Sequence, residues 1–209
     1  MKVKTFNKNI FYLTFPSQKE LVMTMCRMQE YYECNSVKLR NKVFTFEKFI
    51  DHYMEQDGSL DYFMLWSGFN IPGHVVDEFF KSFDLTQREI DVKLRTEEYR
   101  NKLYYVIATR ANDDETLLHE LAHAYYHLNP VYKQQVDVLV RSMRKELRSS
   151  LTDRLKEKGY ANNVIVDEIN AYIATSSYKY LKNDLELELT RKDMKPFIDL
   201  AKTVFAGLA

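Results

Sequence analysis

The residues of this chain best suited to chemistry are His119-Glu120-Leu121-Ala122-His123, two histidines four apart with a glutamate after the first. On a helix these histidines lie one turn apart on one face, so both imidazoles can reach one metal ion. Glu120 is then placed to activate a water on that ion. On a helical wheel, Thr116, His119, Glu120 and His123 fall within about a quarter of the circumference. Leu117, Leu118, Leu121, Ala122, Ala124 and Tyr125 fill nearly all the rest. That is the pattern of a mostly buried helix with one polar stripe. Burying two imidazoles and a carboxylate without partners is costly, and a shared cation removes the cost. The competing explanation is a pair of core histidines bonded to neighbouring carbonyls.

Catalytic zinc usually takes three protein ligands and leaves a position for water. His127 is the nearest candidate for the third. On a continuous helix, however, its Cα lies about 12 Å from that of His119, and no glycine intervenes to bend the chain. A pocket-lining role suits it better. Glu168 is the stronger candidate. It sits in the mostly apolar run Val164-Ile165-Val166-Asp167-Glu168-Ile169-Asn170-Ala171-Tyr172-Ile173 and shares a face with Ile165, Ile169, Tyr172 and Ile173. Asp167 points away from that face and is expected in solvent.

Several elements must position these groups. Residues 103–109 form the clearest strand of the chain, and Asn112-Asp113-Asp114-Glu115 supplies caps and first-turn acids for the pentad helix. Asn129-Pro130 should end that helix. A long amphipathic helix is expected from Val136 to Leu155, stopped by Gly159. A further helix over about residues 162–181 carries Glu168, and a last one covers about 194–207. Upstream, residues 10–15 read as a strand, and Ser17 and Thr45 as helix caps. Residues 62–73 read as a structured loop entering a helix at Pro72, and Thr86-Gln87-Arg88-Glu89 as a capping box.

At 209 residues and 45% hydrophobic content the chain can bury a full core. Lys+Arg and Asp+Glu balance at 30 each, so no global field favours nucleic acid or an anionic membrane. Cys26 and Cys34 lie about 12 Å apart on one helix, too far for a disulfide, as expected of thiols in a reducing compartment. Asn7, Lys8 and Asn9 interrupt the only apolar run near the start, so no signal peptide is expected. No run approaches a membrane span. A cytoplasmic protein is the expectation.

Together these features resemble the zincin metallopeptidases, and within them the gluzincin pattern, over about residues 103–175. The residues about Glu168 are also similar to the glutamate helix of ImmA-like, phage-repressor-cleaving peptidases. The resemblance implies a predominantly helical α+β fold, zincin-like, with a small sheet whose edge strand precedes the pentad helix. Residues 101–209 would be the catalytic region, and residues 1–100 a mostly helical region without an assigned motif. The resemblance further implies Zn2+ held by His119, His123 and Glu168, with Glu120 as general base in hydrolysis of a peptide bond. Strand 103–109 would pair with an extended protein or peptide substrate, and neither nucleic acid nor membrane would be a partner. Tyr172, Tyr160, Tyr126 and His127 are the candidates for contacting substrate or the oxyanion. The alternative function is a zincin-like protein-interaction module without proteolytic activity.

Overall fold

The run Ile10–Phe15, β-branched and aromatic, needs partners on both sides, and a computed structural model of the protein supplies them. The structure describes residues 1–6, 8–34, 36–59, 61–100 and 102–206. It is α+β, mostly helical with one small mixed sheet. The chain forms two compact units, Met1–Leu117 and Leu118–Ala209.

The first unit holds β1 (Lys2–Phe6), β2 (Ile10–Phe15), α1 (Gln18–Glu33), α2 (Phe46–Asp57), α3 (Tyr62–Leu65), β3 (Gly68–Pro72), α4 (Gly73–Ser82), α5 (Gln87–Thr96) and β4 (Tyr105–Arg110). The sheet order is β1-β2-β4-β3. β2 and β4 run parallel, with Tyr12 opposite Ile107, while β1 and β3 flank them antiparallel. The strand expected at residues 103–109 is therefore central, not an edge. Its backbone is paired on both sides, so it offers no ladder to an extended substrate. The edges are β1 and β3, neither of which was expected.

The expected caps are present. Ser17, Thr45 and Thr86 accept from the backbone N–H of Glu20, Lys48 and Glu89, and Thr86 with Glu89 completes a capping box. Glu89 also receives Arg27 from α1, at 2.9 Å from Nε and 2.5 Å from Nη2. The carbonyls of Phe44 and Asp84 take two further Arg27 donors, so four of the five guanidinium N–H groups of this buried ion pair are bonded. Gly73 opens α4 where a Cβ would sit 2.4 Å from the Tyr104 ring, and its N–H donates to the Tyr104 carbonyl at 2.8 Å.

The pentad helix is α6 (Asp114–Leu128), and the division between the units falls within it. Asp113 caps it, with Oδ1 accepting the Thr116 N–H at 3.2 Å. Burial alone would raise the Asp113 pKa, but hydrogen bonds from Thr116 and Arg110 hold it below the usual carboxylate range. The second unit continues with α7 (Pro130–Ser142), α8 (Lys145–Glu157), α9 (Ile165–Thr175), α10 (Tyr178–Asn183) and α11 (Arg191–Phe205). Here α9 is the hub, packed on α7, α8 and α11.

Two expected helices are each split. The stripe from Val136 to Leu155 breaks at Met143 and Arg144, both at extended ψ, where Arg144 reaches the Glu188 carbonyl and the Asp193 carboxylate. The helix expected over 162–181 breaks at Ser176, and Ser177 caps α10 through the Tyr180 N–H. The expected end of the last helix at Gly207 lies outside the described residues. No helix among the described residues is long and apolar enough to cross a membrane.

Candidate metal centre

α6 presents His119 and His123 one turn apart, with ring centroids 4.9 Å apart at an interplanar angle of 76°. Their Nε2 atoms approach to 3.2 Å. Two imidazole nitrogens this close need a shared proton or a shared cation. α9 brings the third group. Asp167 and Glu168 lie in its first turn, where the helix dipole favours negative charge, and Ile165, Ile169 and Ile173 bury its inner face. Glu168 is 5% exposed, with Oε1 3.6 Å from His123 Nε2 and Oε2 3.9 Å from His119 Nε2.

Among the described residues, His119, His123 and Glu168 are a group whose ligand atoms all lie within 4.8 Å of one another, and it can bind a metal ion. Ligands about 2.0–2.1 Å from a tetrahedral ion lie about 3.3 Å from each other. The imidazole nitrogens, 3.2 Å apart, match that figure, and the nearest Glu168 oxygens, Oε1 at 3.6 Å from His123 and Oε2 at 3.9 Å from His119, approach it. The donor set of two imidazoles and a carboxylate fits zinc.

Asp167 is not in open solvent. Its Oδ2 accepts from His123 Nδ1 at 2.9 Å, and its side chain is 20% exposed. This fixes the His123 tautomer and turns Nε2 towards Glu168 and His119. The expectation failed because the wheel compares Asp167 with the apolar face of its own helix, whereas His123 meets it from the flank. Its signal was present in the sequence as an acid directly before Glu168.

The two histidines titrate in opposite directions. Burial, with the charge of His123 added, pushes His119 well below the usual imidazole range. Burial also penalises charge on His123, but Asp167, Glu168 and Glu120 outweigh it and raise that pKa well above normal. Positive charge on the pair is therefore favoured at His123 over His119. No protein family model, curated protein or solved structure matches this chain.

The remaining expected residues divide. Glu120 is 5% exposed, and its charge acts on His123, Tyr160 and Tyr172. The Tyr172 ring meets His119 edge-on at 5.0 Å, and its hydroxyl lies 3.3 Å from that of Tyr160. Burial first, then the Glu168 charge, keeps Tyr160 protonated. Burial and the same carboxylate outweigh the Tyr160 hydrogen bond at Tyr172. Tyr126 donates to Asp137 at 2.9 Å under Lys133, whose Nζ is 3.8 Å from the ring centroid. His127 is exposed and outside the ligand group. Leu118, expected inside, is 40% exposed.

Proposed function

We propose that the protein is a zinc-dependent metallopeptidase acting on a protein or peptide, with His119, His123 and Glu168 as metal ligands and Glu120 as general base. One observation carries this reading: both histidines of an H-E-x-x-H helix converge with a carboxylate from a separate helix. A structural site would have no use for the buried Glu120 beside it. Zinc, when bound, supplies Lewis acidity and a coordinated water with a pKa near about 7. Glu120 takes a proton from the attacking water and hands it to the leaving amine. Asp167 holds the Nδ1 proton of His123 so that Nε2 offers its lone pair. The Tyr160 and Tyr172 hydroxyls, both protonated at neutral pH, are donors available to a carbonyl oxygen.

The test is a peptide-library cleavage profile of the zinc-loaded wild type against Glu120→Gln, with zinc measured in both. Activity should fall by about 100-fold or more in the variant while zinc content holds. Equal cleavage by both proteins refutes the base. A zinc-loaded wild type that cuts nothing while retaining its metal favours the interaction-module reading.

A further inference from the structure

The support of His123 continues beyond Asp167. Asn170, one turn along α9, is fully buried, and its Oδ1 accepts the Tyr132 hydroxyl of α7 at 3.1 Å. That bond orients the amide, leaving Nδ2 as the donor on the opposite side. Among the described residues, Asn170 Nδ2 and Asp167 Oδ1 are both buried and both lack a hydrogen-bond partner. One is a donor and the other an acceptor, and residues three apart on a helix are neighbours. Leaving both unpaired in the interior is costly, and a hydrogen bond between them removes that cost. The Tyr132 phenol also senses Asp167: its pKa is raised to about 12, by burial first, against the Asn170 hydrogen bond and with the Asp167 charge adding to it.

We propose that Asn170 is a positioning residue of the metal centre. Its Nδ2 donates to Asp167 Oδ1, directly or through one bridging water, completing a relay Tyr132–Asn170–Asp167–His123 from the core to the Nε2 that binds metal. The relay leaves Asp167 one oxygen for Asn170 and one for His123, so the carboxylate cannot rotate away from the imidazole. Asn170 itself touches neither metal nor substrate. This inference rests on the metal-site reading and not on peptidase activity.

The test compares zinc affinity, measured by competition with a chromophoric chelator, in wild type, D167N, N170D and the swap D167N/N170D. N170D keeps the acceptor for Tyr132 but turns a second acceptor towards Asp167. Each single variant should weaken zinc about tenfold or more. The swap restores a donor opposite an acceptor, so its loss should be at least tenfold smaller than the product of the single losses. Additive losses, or N170D binding zinc like the wild type, overturn the relay. A wild type that binds no zinc defeats the metal-site reading instead. The relay is then still tested in the metal-free protein by the nitrogen-15 spectrum of His123. A slowly exchanging downfield Nδ1 proton should be visible in wild type and lost in N170D, and its persistence in N170D overturns the proposal.

Discussion

Removing Glu168 should uncouple the protein from zinc, and the geometry sets the size of the effect. The imidazole nitrogens stand 3.2 Å apart, and Glu168 holds Oε1 3.6 Å from one and Oε2 3.9 Å from the other, so a side-chain adjustment brings one carboxylate oxygen to tetrahedral spacing at zinc. Little reorganisation opposes binding, so the affinity for the ion is expressed as stability of the folded chain. With free zinc at 100 times Kd, the wild type gains about 2.7 kcal/mol. For a chain of this size that corresponds to a Tm increase of about 5–10 °C. Glu168→Ala removes the one anionic ligand, leaving two imidazoles that together cannot enclose the ion. The zinc-induced shift should then fall below about 1 °C at the same concentration, whereas His127→Ala should shift as the wild type does. Differential scanning calorimetry of chelator-stripped protein, with and without zinc, gives both numbers. A full shift in Glu168→Ala, or its loss in His127→Ala, refutes the ligand assignment.

Other outcomes follow from the same structure. In metal-free protein, the raised His123 pKa contributes stability below its unfolded value of about 6.5 and loses it as pH rises through the folded value. The lowered His119 pKa contributes the reverse, a loss as pH falls below about 6.5. The metal-free Tm should therefore have a maximum near about pH 6.5, and zinc, which displaces the His123 proton, should bind more tightly as pH rises. Zinc affinity that is flat or falls between pH 6 and 8 contradicts this. Glu89→Gln leaves the Arg27 guanidinium buried beside a neutral partner and should cost about 3–5 kcal/mol in urea unfolding, against less than about 1 kcal/mol if the pair were merely tolerated. Gly73→Ala drives a methyl into the Tyr104 ring and should cost about 1–3 kcal/mol, read as a lower urea midpoint at unchanged slope.

The local signals in the sequence led to most helices and to the ligand group, because caps and helical periodicity are short-range. Thr45, Thr86 and Asp113 each cap a helix where their side chains can reach the first-turn amides. Pairing between distant segments was not legible. β3 contains Gly68 and Pro72, both poor strand formers, and an edge position tolerates the missing N–H. β1 alternates lysines with apolar residues and is mostly exposed, which disguises it as a tail. Without those two strands β4 looked like an edge. The apolar stripe from Val136 to Leu155 runs unbroken in the sequence, whereas the partners of Arg144 at the break, Asp193 and the Glu188 carbonyl, are 49 and 44 residues away. Asp167 and Asn170 escaped because their partners, His123 and Tyr132, belong to other helices.

The junction at Asn129 governs where this chain can change in length. Its N–H closes α6 on the Tyr125 carbonyl at 2.9 Å, and its Oδ1 caps α7 through the amides of Val131 and Tyr132, both at 3.1 Å. One residue ends one helix and starts the next, with no slack between them. A single inserted residue there would turn α7 by about 100° and carry the Tyr132 hydroxyl away from Asn170. The exposed turn about Val37, 86% accessible, would absorb the same insertion. Related chains that share this centre should therefore vary in length at the Val37 turn and keep the spacing from His123 to Tyr132 fixed, even where the intervening side chains differ.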